Sequence, residues 1–282
     1  MSIHPTAIIE SGAELGSNVT VGPYCYIATG TVVGDNTVMG PYVCVLQHTT
    51  IGPGCRIHAG ATLGDLPQDL SFKDVVSHTR IGANCTIREG VTVHRGTKPD
   101  TTTEIGDECY LMCNSHFAHN VKLGKSVIVA NGAACAGYVE VGDRAFISGY
   151  CAIHQFVRIG RLAMVGALTM ASKDIPPFFT TRSSSLNGVA GCNIVGMRRA
   201  GMSAEDRTQV RKAFSMLYRS NLNVSQAVEA LRATFNAGPV VEICDFIKQS
   251  KRGIARAGER ESVDRESVSD LPEVFGPPAI GE

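Results

Sequence analysis

Apolar residues recur at every sixth position along the first 170 residues. From Ile3 to Val165 the series has 28 members, and 26 are Ile, Leu, Val, Met, Phe or Cys; Asp69 and Pro99 are the exceptions. Four places after each member lies a second series, Ala7 to Thr169. There 26 of 28 are Ala, Val, Cys, Thr or Ser, with Pro67 and Lys73 excepted. A helix returns to one face every 3.6 residues and a strand every second residue, so a period of six belongs to neither alone. Glycine often follows the large apolar residue, as in Ile51-Gly52, Ile81-Gly82, Ile105-Gly106 and Val141-Gly142.

A solenoid of short strands satisfies this pattern. Each hexad makes one flat face, and a glycine or small polar residue turns the corner where a bulky Cβ would clash. Three faces close a coil of 18 residues, and successive coils stack at the strand-pairing distance of about 4.8 Å. The large and small apolar residues point inward and fill a narrow prism. The pattern is the hexapeptide repeat of a parallel β-helix. Residues 1–170 predict about nine coils, roughly 45 Å tall at that spacing.

Two stretches, 66–80 (LPQDLSFKDVVSHTR) and 98–104 (KPDTTTE), break the pattern, yet Ile81 and Ile105 resume it in phase. Loops ejected from a rigid solenoid usually mark its working face. Beyond residue 170 the period lapses. Residues 171–202, with Pro176-Pro177, read as an extended linker. Residues 203–252 read as a small α-helical domain. One helix spans 203–220, with Ser203 as N-cap and Asp206 three places later. Two more cover Val224–Phe235 and Val240–Gln249, the first closed by Gly238-Pro239. From Gly253 to the end the chain is polar and charged, the composition of a disordered tail.

The 282 residues carry zero formal net charge and no tryptophan, which gives no polyanion-binding character. MSIHPT lacks the basic and apolar regions of a signal peptide, and no apolar run reaches membrane-spanning length, so the expected compartment is a reducing cytoplasm. Ten cysteines are present without a CxxC pair. Cys25, Cys55, Cys85, Cys109 and Cys151 fall in the small inward series and Cys135 in the large one, so they read as packing residues rather than disulfides or metal ligands.

The candidate chemistry lies in NSHFAHN, residues 114–120. His119 takes the third place of its hexad, which faces outward. Gly137, 18 residues on, should stack above it. An imidazole beside an exposed backbone donor suits acyl transfer: one takes a proton from an acceptor alcohol and the other holds the tetrahedral oxygen. A surface histidine above a turn glycine is the plain structural alternative.

NSHFAH, IREGVTVHRGT (87–97), PQDL (67–70), AIHQF (152–156), DIPPF (174–178) and GCNIVGMRRAG (191–201) fall in order. Over residues 1–252 the chain resembles the UDP-N-acetylglucosamine acyltransferases of lipid A synthesis, a hexapeptide-repeat family. The resemblance implies a left-handed β-helix and a homotrimer with active sites between subunits. It also implies transfer of a 3-hydroxyacyl chain from the phosphopantetheine of acyl carrier protein to the sugar 3-position, with no further cofactor and no metal. By motif, His119 is the base and Gly137 the oxyanion donor. Gln68 and Asp69 lie in the facing loop, and His154 and Gln155 line the substrate cleft. Asn193 and Arg199 sit on the sugar and nucleotide side, and Ala167, one coil above Gly149, reads acyl length.

The chain departs from the family at Asn120 (usually Asp), Tyr138 (usually His), Ser71 (usually Lys), Val195 (usually Glu) and Ala200 (usually Arg). Asn120 and Tyr138 are 18 apart and should touch. These departures leave open a 3-amino UDP-sugar acceptor, which would give an amide. A zinc-dependent hydratase on the same fold needs three converging histidines. His116 and His119 supply two, and counting by 18 finds Lys98, Thr101, Ala134 and Gly137 instead of a third. A non-catalytic sugar-binding β-helix is the other alternative. Lys122, Lys125, Arg144, Arg158, Arg161, Arg198 and Arg199 form a cationic set suited to an acidic carrier protein or to a solvated face.

Overall fold

The computed structural model describes residues 1–182 and 188–257. Strands of two to four residues alternate with corners from Ser2 to Ala171. They build three parallel sheets, of which two carry nine rungs from the coil and the third carries eight. The large apolar series lines the interior: Ile27, Leu63, Ile87, Leu111, Phe117 and Ile147 are all fully buried. The architecture is a left-handed parallel β-helix with a small helical domain at its C-terminal end.

The corners differ from the glycine turns read from the sequence. Gly52 keeps an ordinary φ; it is needed because a Cβ there would lie 2.7 Å from the Gly82 carbonyl carbon of the next coil. The left-handed residue comes two places later and is usually not glycine. Tyr24, Tyr42, Tyr138, Tyr150, Phe156, Leu162 and Leu168 all have φ between 55° and 66°, a conformation costing about 1–2 kcal/mol for an L-residue. Coil-to-coil hydrogen bonds offset that cost. Tyr138 N–H donates to the His119 carbonyl at 3.1 Å, and Phe156 N–H to the Gly137 carbonyl at 3.1 Å.

Most rungs pair 18 residues apart, as in Ile9 with Ile27. Across the polar stretches the register changes: Ile57 pairs with Ile87 and Ile87 with Leu111. The loops therefore add twelve and six residues, both whole hexads. Phase survives them, but counting by 18 fails across them.

The inward cysteines do more than fill space. Cys25, Cys55, Cys85, Cys109 and Cys151 each donate a thiol hydrogen bond, at 3.0–3.2 Å, to a glycine carbonyl of the next coil: Gly40, Gly82, Gly106, Gly124 and Gly166. A small thiol fits the prism and satisfies a corner carbonyl that would otherwise lack a partner.

Residues 171–202 are more ordered than a linker. Phe179–Thr181 continues one sheet, Gly188–Cys192 pairs with it antiparallel, and Ile194–Arg199 forms helix α1. The predicted helices follow as α2 (Ala204–Tyr218), α3 (Val224–Thr234) and α4 (Pro239–Lys248). Ser203 caps α2 through Asp206 N–H, and Asn223 with Gln226 makes a capping box on α3. Arg161 ties α4 to the coil through Glu242 at 2.8 Å while lying over the Phe178 ring. The disordered tail read from Gly253 does not hold at Arg256–Ala257, which adds a strand beside Gly188–Val189. The rest of that reading, residues 258–282, lies outside the described residues.

Candidate active site

His119 and Gly137 are brought together as the 18-residue count expects, and tightly. A Cβ on Gly137 would lie 2.3 Å from His119 Cε1 and 2.6 Å from Nε2. The imidazole is not the open surface group read from the sequence, for only 9% of the side chain is exposed. The twelve-residue loop folds back over it and sets Asp69 Oδ2 4.0 Å from His119 Nε2, too long for a hydrogen bond. Asp69 is itself fixed by the N–H and hydroxyl of Ser71, at 2.9 and 2.8 Å. Those two donors, with His119 nearby, hold its carboxyl below the usual carboxylate range. On its other side, His119 Nδ1 lies 3.1 Å from Asn120 Oδ1.

A backbone donor is available beside this imidazole for a reason built into the coil. The ladder leaves unused the N–H at the third place of a regular hexad. At three corners an aspartate of the next coil caps it: Asp35 Oδ1 accepts from Ser17 N–H at 2.7 Å, Asp107 Oδ1 from Ala83 at 3.0 Å and Asp143 Oδ1 from Lys125 at 2.8 Å; at Thr29, Glu10 Oε2 of the preceding coil does so at 2.8 Å. At Gly137 the next coil offers Gln155 instead. The Gly137 N–H makes no hydrogen bond among the described residues. Four times among the described residues, then, the equivalent amide binds a carboxylate oxygen.

A cleft of about 510 Å³ opens here, lined by Gln68, His119, Gly137, His154 and Gln155 among others. Its floor is an outward column that starts at His116 and continues through Ala134 and Ala152 to Met170, which is 60% exposed. Ala167 lies at the opposite corner of the same sheet and does not line this cleft. Asn193 and Arg199 are also outside it. Asn193 is a helix cap whose Oδ1 accepts from Gly196 N–H and whose amide group donates to the Leu162 carbonyl, both at 2.9 Å. Arg199 stands exposed in the last turn of α1.

Counting by 18 missed a third histidine. The six-residue loop makes Thr92, not Lys98, the neighbour of His116, and this brings His94 edge-on to His116 with ring centres 4.9 Å apart. His116 Nδ1 lies 2.7 Å from Thr92 Oγ1, and burial with His94 nearby lowers its pKa to about 4. Burial likewise lowers His94. Arg95 was also missed. It is 5% exposed, donates to Asp74 Oδ1 at 2.8 Å and sits 5.6 Å from the Phe72 ring, which pins the loop carrying Asp69.

The cationic set largely resolves into pairs. On one outer face Arg80, Glu104, Lys122, Glu140 and Arg158 are successive rungs of alternating sign. Lys125 meets Asp107 at 2.9 Å and Arg161 meets Glu242. Arg144 is exposed at a corner of the coil, and Arg198 and Arg199 are exposed at the end of α1.

A β-helix that covers one outward imidazole and bares the amide beside it is built as a hexapeptide-repeat acyltransferase. The comparisons with known proteins agree. Residues 174–255 match the family described as Udp N-acetylglucosamine O-acyltransferase, domain 2, and residues 30–65 and 102–137 match the bacterial transferase hexapeptide. An acyl-[acyl-carrier-protein]--UDP-N-acetylglucosamine O-acyltransferase of Anaeromyxobacter dehalogenans is 39% identical over 91% of this chain and 100% of its own length. A Gloeothece citriformis protein of the same name is 42% identical, but the match spans 59% of this chain and 60% of the relative. A UDP-N-acetylglucosamine acyltransferase structure from Bacteroides fragilis superposes with a TM-score of 0.87 at 38% identity, covering 90% of this chain and 99% of that one. The chain belongs to the UDP-N-acetylglucosamine O-acyltransferase family.

Proposed function

We propose that this chain moves a 3-hydroxyacyl group from the phosphopantetheine thioester of acyl carrier protein to the 3-position of a UDP-amino sugar, as the first step of lipid A synthesis. His119 Nε2 takes the proton of the attacking hydroxyl. The sugar oxygen bonds to the thioester carbonyl carbon, and the oxygen that gains charge is received by Gly137 N–H. Collapse of the tetrahedral species breaks the C–S bond, and the imidazolium returns its proton to the departing thiolate. Asp69 and Gln68 orient the acceptor from the loop, while His154 and Gln155 bound the cleft. No cofactor beyond the carrier's phosphopantetheine is needed for these steps.

The uncapped Gly137 amide beside His119 is the observation that carries this reading. Asn193 and Arg199 lie away from that cleft within one chain, which favours a homotrimer in which a neighbour presents α1 to the acceptor nucleotide. Exposed Arg198 and Arg199 suit diphosphate or an acidic carrier. The reaction belongs to the cytoplasm on this view. Exposed Ile194 and Val195 at the start of α1 give an apolar shell where the family carries a carboxylate. They favour, as a second reading, a 3-amino UDP-sugar acylated to an amide by the same geometry. Turnover of 3-hydroxyacyl carrier thioesters against both acceptors, with His119→Ala as control, tests the proposal. Ester or amide formation that falls about 10²–10⁴-fold in the variant is expected; turnover retained within a few-fold would remove His119 from the mechanism.

A further inference from the structure

The Asn120 amide next to His119 is itself held, directly and at one remove, by Thr97 and Tyr138. Thr97, at the end of the strand-to-loop turn, donates its backbone N–H to Asn120 Oδ1 at 3.1 Å and its hydroxyl lies 3.0 Å from the same oxygen. Tyr138 Oη lies 3.0 Å from Thr97 Oγ1. The sequence count expected Tyr138 to touch Asn120; the hydrogen bonds between the two side chains run through Thr97. Tyr138 cannot easily swing away, because its ring is edge-on to His119 at 5.2 Å and stacked on Phe156 at 5.0 Å. Asn120 is tied at its backbone too, with φ of 60° and its N–H donating to Thr103 Oγ1 at 2.7 Å.

The donors settle which way each group points. A backbone N–H can only donate, so the Asn120 atom facing Thr97 N–H is the carbonyl oxygen and not the NH₂. That oxygen only accepts. His119 Nδ1, 3.1 Å from it, must therefore carry a proton, and in the neutral ring Nε2 is then the bare nitrogen. Thr97 Oγ1 gives its single proton to the same oxygen, so it accepts from Tyr138 O–H. The chain runs in one direction: Tyr138 to Thr97 to Asn120, with His119 as the third donor to Asn120 Oδ1.

We propose that Thr97 and Tyr138 are positioning residues that lock the Asn120 carbonyl toward His119 and thereby fix the imidazole in the tautomer whose bare Nε2 faces the acceptor. The pair does through neutral donors what a fixed acceptor charge would otherwise do. Without Thr97's hydroxyl the amide keeps one donor fewer, and a rotated amide would present NH₂ to Nδ1 and favour the opposite, unreactive tautomer. This inference rests on His119 as the base.

Thr97→Val keeps the shape and backbone N–H but removes the hydroxyl, Thr97→Ser restores it, and Tyr138→Phe removes only the first donor. Loss of one such hydrogen bond should lower kcat about three- to tenfold with KM unchanged, more in Thr97→Val than in Tyr138→Phe. Thr97→Ser should recover most of the rate. Nitrogen-15 NMR of the full-length histidine-labelled protein, with His119 assigned among the eight histidines by its loss in His119→Ala, should report a protonated Nδ1 in the wild type. The other tautomer should gain population in Thr97→Val. In an Asn120→Ala background, Thr97→Val should add nothing, since Thr97 acts through Asn120. Unchanged kcat and tautomer in both Thr97→Val and Tyr138→Phe would overturn the inference, as would a Thr97→Ser enzyme no better than Thr97→Val. Should Thr97→Val fail to fold, Tyr138→Phe and its tautomer ratio decide. Activity persisting in His119→Ala would instead defeat the underlying role of His119, whatever the Thr97 variants do.

Discussion

Replacing Gly137 with alanine tests the site through its narrowest dimension. The added Cβ would stand 2.3 Å from His119 Cε1, 2.6 Å from Nε2 and 3.0 Å from Nδ1. Ordinary carbon contacts begin near 3.5 Å, so the ring must retreat by about 1 Å. It cannot do so freely, with Nδ1 held at Asn120 and Tyr138 packed edge-on. A displacement of that size in a catalytic group can cost about 10²-fold in rate, and the overpacking about 1–3 kcal/mol in stability. Backbone strain is not involved, because Gly137 has no positive φ. Gly149→Ala is the matched control. It occupies the same hexad place at another corner, where the new Cβ would meet only the Asn131 carbonyl oxygen at 3.4 Å. We expect kcat to fall about 10²-fold in Gly137→Ala and by no more than a few-fold in Gly149→Ala. Steady-state turnover, with Tm read in parallel, measures both. Equal activities in the two variants would refute the claim that contact between Gly137 and His119 sets the geometry.

Other consequences can be checked in the same assay. Asn120→Asp puts a carboxylate against Nδ1 and favours the protonated imidazole; the neutral ring is the working form, so the acidic limb of kcat/KM should move to higher pH. His116, lowered to about 4, stays neutral through that limb, and burial pushes His94 down as well; coincident limbs would contradict the electrostatic account. Arg95→Ala removes the pin on the loop and should raise the acceptor KM several-fold more than it lowers kcat; an unchanged KM would mean that the loop holds itself. Ala167→Met should shift preference to shorter acyl chains if that corner reads length, whereas Met170→Gly should admit longer ones if the column above His116 does. Chain-length profiles of the two variants decide which corner is the ruler.

Much of the fold could be read from the sequence because stacking coils impose one rule at every rung. Ile3 to Val165 and Ala7 to Thr169 mark the interior, and Ser203, Asn223 and Gly238-Pro239 mark helix ends by local chemistry. Corner conformation was not legible, since tyrosine, phenylalanine and leucine take the left-handed place only because the coil beneath supplies a carbonyl. Of the site, His119 above Gly137 followed from counting within unbroken coils. His94 and Thr97 did not, because each lies across the six-residue loop from its partner, and Arg95 did not, because Phe72 and Asp74 sit in the twelve-residue loop. The structural duty of Asn193 was hidden by its place in a motif, although asparagine three residues before a glycine at a helix start is a capping signal.

The site is best understood as a place where the repeat's own rules are suspended. A regular corner leaves an amide exposed, and at Ser17, Ala83 and Lys125 the next coil covers it with an aspartate. Around His119 three features coincide instead. Gly137 has no side chain to fill the space under the imidazole, the next coil offers Gln155 and not a carboxylate, and the coil below is interrupted so that a loop can bring Asp69 across. Each change alone would be a defect costing stability: an unpaired amide, a gap, a longer loop. Together they leave a polar hollow in which the unmet Gly137 N–H lies beside the imidazole. A scaffold that supplies an anion-binding amide at many corners needs only to set an imidazole beside one that is left uncovered.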